Sequence, residues 1–165
     1  MMRPYLFDCP ILPEEFQFPS DYLSLALSNK FPDIEPWEFL SKDMAQSLRY
    51  YSFIHLTFPE TMLVPFALAS DLSGLYNEGW IVLACFDANS EKGKPIIRIY
   101  DGARSKVSPL NNVTYSSFSE WLNAAMKESK NYKAEKKEAE EAEEAEEAEE
   151  AEEAEEADNA ELNKS

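Results

Sequence analysis

The stretch from Leu63 to Gly102, LVPFALASDLSGLYNEGWIVLACFDANSEKGKPIIRIYDG, constrains the fold more than any other part of the chain. It holds three apolar runs: Leu63 to Leu68, Trp80 to Phe86 and Pro95 to Tyr100. Each is closed by turn chemistry, in Asp71-Leu-Ser-Gly74, Asn77-Glu-Gly79, the segment from Asp87 to Gly93, and Asp101-Gly102. Apolar runs of this length, rich in Val, Ile and aromatic residues and punctuated by Gly, Asp, Asn and Ser, read as strands. The connections are short, whereas a parallel crossover needs about a dozen residues or more, so the pattern predicts a three-stranded antiparallel meander. Trp80 to Phe86 is apolar at nearly every position and takes the central place, covered on both faces. Pro65 has no amide hydrogen for a ladder, which puts Leu63 to Leu68 on an edge or at a bulge. Ile97 and Ile99 share a buried face, and Arg98 marks the face of Ile96 and Tyr100 as partly wet.

Helical patterns flank the meander. Ser20 to Lys30 reads as a first helix, with Ser20 as N-cap, Asp21 at the positive helix start, and Leu23 and Leu27 on one face. Pro32 and Pro36 interrupt the chain, and Trp37, Phe39 and Leu40 form an aromatic knot that belongs to the core. Ser41 to Leu56 reads as a second helix capped by Ser41, with Met44, Leu48, Tyr51 and His55 on one apolar stripe. Ser117 to Ser129 reads as a third, with Phe118, Trp121, Leu122, Ala125 and Met126 facing inward and a capping box between Ser117 and Glu120. Before the first helix lies an irregular arm, residues 1–19, rich in proline and aromatic residues. Pro13 to Phe16 fits a single helical turn within it. Ala103 to Val113 is a loop.

The net charge of −17 is unevenly divided. Residues 1–129 carry 16 acidic and 10 basic side chains, a balance of −6, and residues 130–165 carry 16 and 5, a balance of −11. The first segment is a globular domain with enough chain for its own core. The second is a low-complexity tail in which alanines at 139, 142, 145, 148, 151, 154 and 157 are separated by pairs of glutamates. Alanine at a period of three makes no fixed helical stripe. Like charges at i,i+3 and i,i+4 oppose helix by ~0.2–0.5 kcal/mol per pair, against the good propensity of Ala and Glu. The third helix is therefore expected to reach about residue 140 and give way to fluctuating helix or coil. Neither segment carries the clustered Lys and Arg that nucleic-acid binding requires, and the acidity suits either a basic protein partner or solubility alone. No stretch is long and apolar enough for a membrane span, and no basic segment followed by an apolar one opens the chain. A cytoplasmic location and a monomer are expected.

Catalytic and metal-binding motifs are absent: no GxSxG, Walker loop, GxGxxG, HExxH or CxxC. The four glycines, 74, 79, 93 and 102, all stand at turns. His55 is the single histidine and reads as structural, and Cys9 and Cys85 form neither a disulfide framework nor a zinc set. The carboxylates flanking the strands, Asp71, Glu78, Asp87 and Asp101, fit turn construction better than acid–base catalysis. A hydrolase using Asp71 and Asp101 is the weakest of the available readings. No cofactor and no metal are expected, and the chain reads as a binding module.

Several strings resemble the SUKH superfamily, the Smi, Knr and Syd type of domain. They are Phe18-Pro-Ser-Asp-Tyr22-Leu-Ser-Leu25 with Asn29 at the helix end, Val64-Pro-Phe-Ala67 followed by Asp71-Leu-Ser-Gly74, and Ser117-Phe-Ser-Glu-Trp-Leu122. The likeness spans about residues 10 to 128. It departs from the family pattern at Asn29-Lys30, where many members have Asn-Gly, and at Gly74-Leu75, where Gly-Asp is common. The resemblance implies an α+β domain, an antiparallel meander flanked by N-terminal helices and a C-terminal helix. Bacterial members are mostly immunity proteins that bind and neutralise a cognate toxin domain, often a nuclease, and others are interaction hubs. A partner-binding surface is expected at turn carboxylates and aromatics near the strand ends, namely Asp71, Tyr76, Glu78 and Asp87. The alternative is a regulatory adaptor whose acidic tail recruits basic proteins.

Overall fold

The computed structural model describes residues 10–164; Cys9 and the start of the N-terminal arm lie outside them. The fold is α+β. Five strands, β1 Trp37–Phe39, β2 Leu63–Ala69, β3 Val82–Asp87, β4 Ile97–Asp101 and β5 Thr114–Tyr115, form one antiparallel sheet in sequential order. The meander predicted from residues 63 to 100 is its centre, and β3 is the middle strand. Two outer strands enlarge it. The aromatic knot at Trp37–Phe39 is a three-residue strand paired with Ala67–Ala69 of β2. β5 is a two-residue strand inside a segment that carries no alternating pattern. Elements this short leave almost no periodic signal.

Pro65 sits at a bulge. Pro65 pairs with Cys85 and Ala67 with Ala84, so Phe66 is an extra residue in β2. The bulge shifts the side-chain alternation by one. Val64 and Phe66 before it, and Ala67 and Ala69 after it, therefore all reach the same core, while Leu63 and Leu68 reach the other. β1 covers only Ala67–Ala69, so Pro65 lies beyond that neighbour's reach. β2 and β3 are buried along their whole length.

The two faces are covered by different helices. On one, α1 (Ser20–Ser28) and α3 (Phe118–Leu162) enclose an aromatic core of Tyr22, Phe39, Phe66, Phe86, Phe118 and Trp121. Phe66 stacks on Phe86 at 4.1 Å, and Trp121 meets Phe66 edge-on at 4.8 Å. Such pairs add about 1 kcal/mol each to the burial of their area. On the other, α2 (Met44–Thr57) packs Tyr50 and Ile54 against Leu68, Leu83, Cys85 and Tyr100.

The structure corrects the helix faces. In α1 Tyr22 is buried, whereas Leu23 and Leu27 are exposed. In α2 the predicted stripe of Met44, Leu48 and His55 points to solvent, Tyr51 is half-buried, and the neighbouring stripe of Tyr50 and Ile54 is buried. Tyr100 decides this rotation, since its ring takes Phe53 and Phe58 at 5.3 and 6.0 Å. Caps differ too. Ser20 is the first residue of α1 behind Pro19, and Asn29 ends it in the left-handed region at φ 53°. Asp43, not Ser41, caps α2, accepting from the amides of Ala45 and Gln46; Ser41 lies in a preceding 3₁₀ turn. Pro13 to Phe16 does form one turn, closed by the Phe16 amide on the Pro13 carbonyl.

α3 starts as predicted, with Ser117 Oγ accepting from the Glu120 amide. The Glu120 carboxylate reaches back to the amide and hydroxyl of Ser116, one residue before the expected box partner. Phe118, Trp121 and Ala125 are buried, Leu122 is half-buried and Met126 is half-exposed. The helix does not end near residue 140. It runs 45 residues to Leu162, about 67 Å at 1.5 Å per residue. Ala and Glu sustain it, with no Gly or Pro to break it. Its side chains are exposed from Glu140 onward.

Candidate functional site

The connection between β2 and β3, residues 70–81, sits at the end of the sheet marked by Ala69, Val82 and Asp101. Asp71 builds its first half. The buried carboxylate accepts from the Ser73 amide and hydroxyl at 3.0 and 2.6 Å and from the Tyr76 amide at 2.9 Å. Burial pushes its pKa up, but these hydrogen bonds, with the Tyr132 phenol nearby, outweigh it and hold the group below its ordinary value. Asp101 builds the second half. It accepts from Asn77 Nδ2 at 2.9 Å, from the Ala103 amide and from Arg104, and is likewise held low against the opposing effect of burial.

Between these anchors the backbone is strained. Asn77, Glu78 and Gly79 follow one another in the left-handed region, at φ 49°, 54° and 83°. Only the last is a glycine, and a non-glycine residue pays about 1–2 kcal/mol there. The strain persists because the surroundings hold the loop in place. Asn77 bonds both Asp101 and the Trp80 carbonyl, the Trp80 amide returns to the Asn77 carbonyl, and Gly102 lies against Ile81. A Cβ on Gly102 would come within 2.7 Å of the Ile81 carbonyl oxygen, so no other residue fits without a shift.

This loop presents apolar side chains to solvent. Leu72 is fully exposed, Trp80 is 55% exposed and Leu75 40%. Glu78 is exposed among them. Beside the loop runs the N-terminal part of α3, where Glu128 is half-buried. Its Oε2 accepts from Trp37 Nε1 at 3.0 Å and from the Tyr76 hydroxyl at 3.1 Å. Burial, and then the Glu128 charge, push the Tyr76 phenol far up, so it stays a neutral donor. Glu128 thus ties β1, the loop and α3 together.

One turn further, α3 is clamped to the segment before β1. Lys133 meets Asp33 at 3.0 Å and Lys136 meets Glu35 at 2.8 Å. Two clefts flank this junction. One of about 490 Å³ is bordered by residues 32–38 with Lys42, Leu68, Ser70 and Leu72. The other, of about 250 Å³, lies between residues 75–77 and α3.

Of the four residues singled out in the sequence, Asp71, Tyr76 and Glu78 share this loop. Asp71 is buried and Tyr76 half-buried, so Glu78 alone is openly displayed. Asp87 is not with them. It lies at the opposite end of β3, paired with Leu63, buried, and bonded to Arg98 Nε at 3.0 Å. Glu128 was missed, although its position carried a signal: a carboxylate seven residues after Trp121 falls on the buried stripe of the helix. Among the described residues no group of three His, Cys, Asp or Glu is placed to hold a metal ion, and no helix is long and apolar enough to cross a membrane. Set against family models, curated proteins and solved structures, the chain finds no match.

Proposed function

We propose that the chain is an immunity protein of the SUKH type, which binds a cognate bacterial toxin domain and blocks its active site. The observation that carries this is the 70–81 loop, which exposes Leu72, Leu75 and Trp80, with Glu38 beside Leu72 and Glu135 beside Leu75 in the flanking clefts. Exposed apolar side chains gathered inside a polar rim are the mark of a protein interface. The rim of Glu38, Glu78 and Glu135 selects a basic partner and speeds its encounter. A nuclease cleft, lined with Lys and Arg for phosphate, has that character. The mechanism is occlusion: the apolar side chains seat against the toxin and the carboxylates occupy the place of phosphates. Neither a cofactor nor catalysis is needed, and the protein acts as a monomer in the cytoplasm, where the toxin would do its damage. Co-expression tests it. The toxin domain kills when expressed alone and is harmless beside this protein; cells that survive equally well without this chain would sink the reading.

A second reading is favoured by α3. Beyond Lys137 it exposes a long run of glutamates, which suits an adaptor that gathers basic proteins. Removing residues 138–165 separates the two. The cut spares Tyr132, Lys133 and Lys136, which dock on the domain. A neutralising domain keeps its partner after the cut, and a tail-driven adaptor loses it.

A further inference from the structure

The smaller cleft, about 250 Å³, is lined by Leu75 with two tyrosines, two glutamates and two asparagines: Tyr76 and Tyr132, Glu128 and Glu135, Asn77 and Asn131. The tyrosine rings stand nearly perpendicular, at 87°, with centroids 6.4 Å apart. Burial grades outward, from buried Tyr132 through half-buried Tyr76, Asn77 and Glu128 to exposed Asn131 and Glu135. The cleft therefore has an aromatic floor and an acidic mouth.

Its hydrogen bonds are unevenly spent. The Tyr76 phenol is committed to Glu128, and the Tyr132 phenol faces the Asp71 carboxylate. Glu128 uses only Oε2, for Trp37 and Tyr76. The Asn77 amide nitrogen is spent on Trp80 and Asp101, which leaves its oxygen. Among the described residues no cation is ion-paired with Glu128 or Glu135. The nearby Lys133, Lys136 and Arg104 are held by Asp33, Glu35 and Asp101. What remains open is mainly acceptor oxygen beside aromatic surface. A cation rich in N–H donors, flat enough to lie on a ring, satisfies both at once.

We propose that this cleft receives the guanidinium of an arginine side chain from a partner protein. Guanidinium is planar, weakly hydrated and carries five donors, so it stacks on a tyrosine while bonding two carboxylates. An ammonium group is compact and strongly hydrated and gains less from the same walls. That the arginine belongs to a toxin rests on the reading above; the recognition of guanidinium does not.

The test titrates the full chain with N-acetyl-arginine methylamide, following the Tyr76 and Tyr132 ring resonances by NMR. N-acetyl-lysine methylamide at equal ionic strength is the control. Saturable shifts of both rings are expected, several-fold weaker with the lysine probe. The double variant Glu128→Gln, Glu135→Gln is expected to weaken arginine binding about tenfold. The amide that replaces the carboxylate at position 128 still offers an oxygen to Trp37 and Tyr76, and an unchanged urea midpoint verifies the fold. Glu135→Gln alone, at an exposed position, gives a second variant whose binding must also fall. No saturable shift with the arginine probe, an equal response to lysine, or variants that bind like the parent overturn the assignment. The titration needs no toxin. A silent cleft therefore refutes this inference while leaving neutralisation to co-expression, and a chain that binds the probe but fails to protect cells refutes only the immunity reading.

Discussion

Each end of the sheet buries an aspartate. At one end Asp87 meets the Arg98 guanidinium at 3.0 Å, and a turn closes over the pair. At the other Asp71 is held by neutral groups alone: the Ser73 and Tyr76 amides and the Ser73 hydroxyl. The first end is electrically balanced. The second keeps its negative charge, adds Glu128 to it, strains its backbone at Asn77 and Glu78, and leaves Leu72 and Trp80 uncovered. One end is built for stability, while the other carries features that weaken a free fold, which the proposed basic partner would offset.

The contrast can be broken, and the sharpest blow falls on the balanced end. Asp87→Ala strands the Arg98 charge in a mostly buried site and should cost about 3 kcal/mol, read from the urea midpoint. A loss no greater than that of a surface substitution would remove the distinction. Asp71→Ala comes next, at about 2 kcal/mol, because three hydrogen bonds to a carboxylate are lost together. Its pH dependence sharpens the comparison. The folded pKa of Asp71, like that of Asp101, lies below the unfolded value near ~3.9. Their contribution is then complete above that value and disappears as pH falls through the folded pKa. The urea midpoint should drop below about pH 4, less steeply in Asp71→Asn, and identical slopes would contradict the role given to this carboxylate.

Trp80→Ala and Leu72→Asp invert the pattern. Stability should move by about 0.5 kcal/mol or less, while loss of the exposed aromatic should cost a bound partner about 2 kcal/mol. Calorimetry of the complex beside denaturation of the free chain measures both. The smallest effect is expected for Lys133→Ala with Lys136→Ala. Both ion pairs are solvent-exposed, so the midpoint should stay put while amides of residues 130–138 exchange faster with solvent.

How legible this was depended on how many residues carried each signal. Strands β2, β3 and β4 are long enough for apolar runs and turn residues to agree, and Pro65 limits its strand to an edge or a bulge, of which the fold takes the bulge. β1 and β5 are too short to be periodic. Helix α2 reads with one stripe, Met44-Leu48-Tyr51-His55, and buries the neighbouring one, Tyr50-Ile54. Nothing local chooses between them, because the choice belongs to Tyr100 and Leu83 across the sheet. Asp71 is legible as a turn residue and Tyr76 as an aromatic near a strand end. The bond from Tyr76 to Glu128 is not, since it joins residues 52 positions apart.

The long helix has an electrical consequence. It leaves the body beside the 70–81 loop and carries most of the excess charge, so the centre of charge is displaced far from the centre of mass. In the field of a cationic surface such a molecule feels a torque before it touches anything. At low ionic strength it would swing round and arrive with the helix and its neighbouring loop leading. At physiological salt, where screening sets in over about 8 Å, the turning is confined to the last moments of approach.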